Sequence, residues 1–145
     1  GYAVSHPETI KSLMTHHDPI YISVSWQQHS LAQYLNKQYS DYVKHINEIN
    51  ALLQTNYEIL APAFKDALGW EPIAPQGSMY GMFKHTEASD IEALQKGLRA
   101  GVGVAPGSMF YVDNRANSGY IRIHVGISTE KAKRIAETLR ANKQQ

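Results

Sequence analysis

Residues 118–126 read SGYIRIHVG, and the alternation within them sets the fold class. A period of two places Tyr120, Arg122 and His124 on one face of a strand and Ile121, Ile123 and Val125 on the other. The apolar face asks for a covering layer. The opposite face carries a fixed positive charge among aromatic and imidazole groups. Arginine presents a rigid, always-charged fork that grips a carboxylate at two points, and a sheet holds that fork more firmly than a loop. By pattern alone two readings stand. Arg122 awaits the carboxylate of a ligand, or it pairs with a local acid or with solvent.

Downstream of this strand, STEKAKRIAETLRANK predicts a closing helix capped by Ser128 or Thr129. Upstream, NRANSG reads as a loop. VGVAPGSMFY reads as a short strand, a Pro106-Gly107 turn and a second extended piece. SDIEALQKGLRAG predicts a helix with Ser89 as its N-cap, an acidic first turn and Gly101 as its stop. SMYGMFKH predicts a strand, and WEPIAPQG a turn-rich approach to it. The longest periodic segment is YSDYVKHINEINALLQTNYEILAPAFKDAL, in which Tyr42, Ile46, Ile49, Leu53, Tyr57, Leu60 and Phe64 recur by threes and fours. Pro62 lacks a backbone donor and clashes with the preceding turn, which predicts a kink or break near Leu60–Pro62. Gly69 ends the helix. Nearer the start, SHPETIKSLMTHH predicts a helix opened by Pro7, complemented by Glu8 and apolar at Ile10, Leu13 and Met14. Asp18-Pro19 stops it. IYISVSW reads as extended or loop and QQHSLAQYLNK as a short helix. Helices thus come first, followed by the order β-β-α-β-β-α. This is an α/β chain of the α+β kind, with helices covering a small antiparallel or mixed sheet.

The chain has 145 residues, enough for one domain or one domain with part of another. Apolar content of 43% and charged content of 19% are ordinary for a globular protein, and a net charge of +1 argues against a broad basic surface for nucleic acid or anionic lipid. There is no cysteine, which excludes disulfides, thiolate metal sites and cysteine nucleophiles. No run reaches the ~18 apolar residues that span a bilayer, and the N-terminus lacks a signal-peptide pattern. A cytoplasmic setting without membrane contact is the default expectation. GYAVSHPE opens directly on an apolar, strand-like run, as a piece of a longer chain would.

Other chemistry finds little support. Adjacent His16 and His17 diverge by roughly 100° on a helix and do not chelate one ion easily. No histidine pair has the helical His-x-x-x-His spacing of a metal site. The glycines of GVGVAPG follow a helix instead of preceding one, so they offer no helix N-terminus to a phosphate. No serine lies in a nucleophile-elbow pattern, and no carboxylate pair is forced into one site. The sequence therefore shows no catalytic residue of its own.

Three ordered motifs, PQGSMYGMF, GVGVAPGSMFY and GYIRIHVGIS followed by a closing helix, resemble the C-terminal part of class I/II pyridoxal-phosphate aminotransferases of fold type I. GYAV with its Pro-opened helix, and SVSWQQHSLAQYL after it, resemble the preceding segments, so the likeness runs from Gly1 to about Arg140. The resemblance implies that residues 1–40 are the tail of the large cofactor-binding domain. Residues 41–145 would be the small domain, entered by a long interdomain helix. It implies that Arg122 binds the α-carboxylate of an amino-acid or 2-oxo-acid substrate. Phe110 would line the substrate side-chain pocket, with ordinary core packing as its alternative, and Tyr80 would pack. The family's Schiff-base lysine, phosphate-binding arginine, pyridine-pairing aspartate and ring-stacking aromatic all precede the first residue here. Lys11 and Lys37 lie in no motif like the cofactor segment. The resemblance thus implies pyridoxal phosphate and a homodimer for the intact enzyme, and no bound cofactor and no activity for this piece alone. Gly1–Val4 would be a strand parted from its sheet, flexible or paired with another copy. Three alternatives stand beside this reading. They are a lyase or synthase of the same fold, a ligand-sensing module of a transcription regulator, and a free-standing α+β ligand-binding or interaction domain.

Overall fold

The computed structural model describes residues 5–17, 25–113 and 115–142. The expected strand at Gly1–Val4, the stop at Asp18-Pro19 and residues 20–24 of the extended or loop reading of IYISVSW lie outside these, while its last two residues, Ser25 and Trp26, are helical instead. Contacts divide the chain into two units, Gly1–Lys44 and His45–Gln145.

The first unit holds α1 (Pro7–His17), α2 (Ser25–Lys37) and the start of α3 (Tyr39–Leu68). Pro7 occupies the first helical position, where its missing N–H costs nothing, and Glu8 lies in the positive first turn. Leu13, Trp26, Leu31 and Tyr39 are exposed here.

The second unit holds the rest of α3, then β1 (Glu71–Ile73), β2 (Tyr80–Lys84), α4 (Asp90–Arg99), β3 (Ala105–Pro106), β4 (Tyr120–His124) and α5 (Thr129–Asn142). The order β-β-α-β-β-α is as expected. The strands form one antiparallel sheet in the order β1-β2-β4-β3. The strand that carries Arg122 is therefore internal, with Met82 on one side of Arg122 and Ala105 on the other.

The alternation along β4 resolves as its sequence predicts. Ile121, Ile123 and Val125 are buried, as is Phe83 on β2, and they meet Leu60 and Phe64 of α3, Ala93 of α4, and Ala132, Ala136 and Leu139 of α5. Trp70, wholly buried, stacks on Phe64 with ring centroids 5.8 Å apart. Small residues on α4 and α5 let both helices approach the sheet closely. All of this lies on one side of the sheet.

Helix ends follow their chemistry. Ser89 Oγ accepts the Glu92 N–H at 3.2 Å and Ser128 Oγ the Lys131 N–H at 3.3 Å, so Ser128 is the cap of α5. Gly69 and Gly101, at φ of 72° and 84°, adopt the left-handed stop expected after α3 and α4.

Two expectations are corrected. α3 runs without a break through Pro62 to Leu68. Pro62 is exposed, so the Glu58 carbonyl that loses its donor faces solvent, while buried Leu60, Ala61, Ala63 and Phe64 pin the helix on both sides. The segment after Pro106-Gly107 is a 3₁₀ turn, η1 (Gly107–Phe110), and not a second extended piece. The Asp90 carboxylate takes the N–H of Ser108 at 2.6 Å, which curls the chain there instead of extending it.

Candidate substrate-binding site

The face of the sheet opposite the core presents Tyr80, Met82 and Lys84 of β2 and Tyr120, Arg122 and His124 of β4 by strand parity. Tyr120 and Arg122 are half-buried and His124 is exposed. No acidic residue occupies these strand positions.

The Arg122 guanidinium carbon lies 4.1 Å from the Tyr80 ring centroid and 3.9 Å from that of Phe110. Tyr80 in turn meets His124 edge-on, with centroids 5.3 Å apart. Freezing an arginine side chain costs about 2 kcal/mol of rotamer entropy, and each cation–π contact returns about 0.5–2 kcal/mol. Two rings together offset most of that cost, so the fork is held in place before any ligand arrives. Stacking uses the faces of the guanidinium and leaves its in-plane N–H groups to donate. Among the described residues Arg122 has no hydrogen-bonding or acidic partner; its interactions are the two rings.

Arg115 shows the other fate open to such a residue. It lies 3.9 Å over the Tyr111 ring, and its guanidinium binds both oxygens of Asp113, with the Nε contact at 2.8 Å. That hydrogen bond to Arg115 holds the Asp113 carboxyl below its ordinary value. Arg115 is satisfied locally; Arg122 is not.

Phe110 reaches Arg122 from η1, and its ring is half exposed, so it contributes a wall of the open face and no core packing. Met109, Tyr111 and Val112 beside it are exposed too. The structure brings Arg122, Phe110 and Tyr80 together. Sequence reading missed a buried carboxylate at the start of α4 that bonds the segments next to them. Asp90 Oδ1 accepts the N–H groups of Ser118 (2.9 Å) and Gly119 (3.2 Å) and contacts His85 Nε2 at 2.8 Å, while Oδ2 accepts the Ser108 N–H and the Ser118 hydroxyl, both at 2.6 Å. Burial pushes this carboxyl up, but the hydrogen bonds from Ser118, Ser108 and His85 outweigh it and hold the pKa at about 2. An acid in a helix's first turn was the only local signal of it.

His85 Nδ1 faces Glu87 at 3.3 Å, and Glu87 also receives Lys96 at 2.5 Å and Trp70 Nε1 at 3.2 Å. This second cluster, closed by Lys96 on the Leu68 carbonyl at 2.7 Å, ties the end of α3 to α4 behind the sheet. Among the described residues no three His, Asp or Glu side chains converge as metal ligands, and no helix is long and apolar enough to cross a membrane.

A lysine that reacts with a carbonyl needs a desolvated seat, and Lys84, the lysine whose strand position shares the face, is exposed. What the arrangement offers is one preorganised, two-point grip for a carboxylate beside an aromatic wall.

The family model described as "Aminotransferase class I and II" matches residues 1–139. A search of curated protein sequences finds no match. Among solved structures the chain is similar to an archaeal alanine:glyoxylate aminotransferase, at 23% identity and a TM-score of 0.70, covering 98% of this chain and 36% of that one. It is similar to LysN, the alpha-aminoadipate aminotransferase of Thermus thermophilus, at 15% identity and a TM-score of 0.69, covering 96% and 37%. It is also similar to the aromatic aminotransferase of Pyrococcus horikoshii, at 24% identity and a TM-score of 0.65, covering 81% and 31%. The chain thus spans about a third of the length of each, and at these identities the likeness is one of fold. Together with a family match over nearly its whole length, this α+β chain belongs to the class I and II aminotransferases.

Proposed function

We propose that this chain is the C-terminal portion of a pyridoxal-phosphate-dependent aminotransferase, in which Arg122 binds the α-carboxylate of an amino-acid or 2-oxo-acid substrate. Residues 1–40 belong, in this reading, to the large cofactor domain and residues 41–145 to the small domain, within a homodimer. The observation that carries it is the Arg122 fork, held over Tyr80 and Phe110 and without a partner among the described residues.

When bound, pyridoxal phosphate supplies the electron sink that stabilises negative charge at the substrate α-carbon. This chain's part is orientation. Arg122 takes both carboxylate oxygens in the plane of its fork and so fixes the substrate's rotation about the bond between the carboxylate and the α-carbon. Phe110 walls one side of the space next to the carboxylate, where the substrate side chain lies, and keeps water from it. Tyr80 holds the guanidinium from turning. The absence of an acid from the strand positions on this face leaves the charge of Arg122 free for the substrate. Lys84, the lysine whose strand position shares this face, is exposed, and we read the chain as inactive without the remainder of the enzyme.

The test uses the full-length protein. Arg122→Lys replaces the fork by a point charge, and should raise KM for amino donors about tenfold or more while lowering kcat. Unchanged kinetics would remove Arg122 from the site. A full-length protein with no visible cofactor absorbance and no release of 2-oxo acid from a panel of amino acids would defeat the enzyme reading as a whole.

A further inference from the structure

We infer that Asp90 is a positioning residue for this site, a single group whose hydrogen bonds reach both the turn that carries Phe110 and the entry to the strand that carries Arg122. The inference rests on the reading of Arg122 as the carboxylate grip.

Asp90 is wholly buried, yet every hydrogen bond of its carboxylate goes to a residue outside its own helix. Its carboxylate gathers three separate segments. One is His85, just past the end of β2, which carries Tyr80; the second is Ser108, inside η1, two residues before Phe110; the third is Ser118 and Gly119, the entry to β4, which carries Arg122. Ser118 passes the link on, because its hydroxyl also accepts the Tyr120 N–H at 3.2 Å. The three members of the cation–π cluster thus arrive on three segments that share one anion. Apart from that anion, η1 meets β4 through the β3 pairing just before it, Pro106 opposite Ile121, through the close packing of Gly107 on Ser118 and Tyr120, and through the Phe110–Arg122 contact itself.

The chemistry demands a carboxylate. Ser108, Ser118 and Gly119 present backbone donors to it, and the ring nitrogen of His85 facing it donates. An asparagine of the same shape must turn its NH₂ toward one set. In one orientation it meets the Ser108 N–H, and in the other it meets the N–H groups of Ser118 and Gly119. Either way a buried donor faces a donor, and η1 or the β4 entry lets go. The aromatic ring or the fork then moves relative to the other. A displacement of about 1 Å at a binding group is enough to cost about a hundredfold in rate.

The experiment is a double-mutant cycle on the full-length protein, reading KM and kcat for an amino donor together with the visible absorbance of the bound cofactor. Asp90→Asn should raise KM about tenfold with the cofactor absorbance retained. Combined with Arg122→Lys it should add less than about twofold to the loss of Arg122→Lys alone, because Asp90 acts through the fork. Ser118→Ala, which deletes one donor and leaves the backbone set, should give a smaller rise of the same kind and carries the test if Asp90→Asn does not fold. Fully multiplicative losses in the double variant would overturn the inference, as would an unchanged KM in Asp90→Asn or, where that variant fails to fold, in Ser118→Ala. If Arg122→Lys slows the enzyme while these variants do not, only the role of Asp90 falls. If Arg122→Lys is itself silent, the carboxylate grip falls first and this inference with it.

Discussion

A β-carbon placed on Gly107 would lie 2.3 Å from Ser118 Oγ and 2.6 Å from the Tyr120 carbonyl oxygen. Both neighbours are committed, the first to Asp90 and the second to the edge of β4, so neither can yield without opening the joint between η1 and β4. Gly107→Ala is therefore expected to destabilise the protein by about 1–3 kcal/mol, the ordinary range for overpacking, seen as a lowered Tm. A Tm within about a degree of the parent would show that η1 is not wedged against β4 as described. Arg122 could be singled out from its strand, because parity needs only its neighbours. Phe110 could be singled out only by resemblance, since its approach to Arg122 depends on the 3₁₀ turn. Asp90 was legible as a first-turn acid and nothing more. Its backbone donors come from residues 18 to 29 positions further along the chain, and no local pattern records a convergence of that kind.

Strands β2 and β4 and helices α4 and α5 follow from periodicity because each buries one face, and burial imprints its period on the sequence. α3 is different. Its expected apolar stripe is buried at Leu60 and Phe64 and packed at Leu53 and Tyr57, but Ile49 is exposed. The period announced a face without saying what would cover it. Nor did proline chemistry decide the helix, for residues on both sides of Pro62 are held by core packing that outweighs one lost hydrogen bond. The cost is still present in the folded state. Pro62→Ala restores a donor to the Glu58 carbonyl and removes the ring's clash with that turn. The gain, of order 3 kcal/mol in an isolated helix, is offset by about 1 kcal/mol as the unfolded chain regains freedom. A net rise in stability of about 1–2 kcal/mol is expected, read as a higher denaturant midpoint with an unchanged slope. A lower midpoint would mean that the helix has adapted to its proline and that the ring itself packs.

With 14 basic and 13 acidic side chains the protein is near charge balance at neutral pH, and acid disturbs that balance everywhere at once. One group nevertheless contributes a separable step. The Asp90 carboxyl is held at about 2, against an ordinary value of 3.8, by hydrogen bonds from Ser118, Ser108 and His85 that overcome its burial. A carboxyl whose pKa is depressed by folding stabilises the native state above its unfolded value, and loses that contribution as pH falls through its folded value. The window is therefore about pH 4 down to pH 2, and the contribution is on the order of 2 kcal/mol. Glu87 is lowered too, against its own burial, by Lys96 and Trp70, so it adds to the slope in the same direction. Asp113, an exposed side chain, adds nothing worth counting. General acid repulsion would mask the step in one protein, but it cancels between two that differ at one buried site. Unfolding free energies of the parent and of Asp90→Asn should thus differ most at pH 5 and converge by about 2 kcal/mol as pH falls to 2. A difference that stays constant over that range would mean that Asp90 is not the ionised centre of the joint.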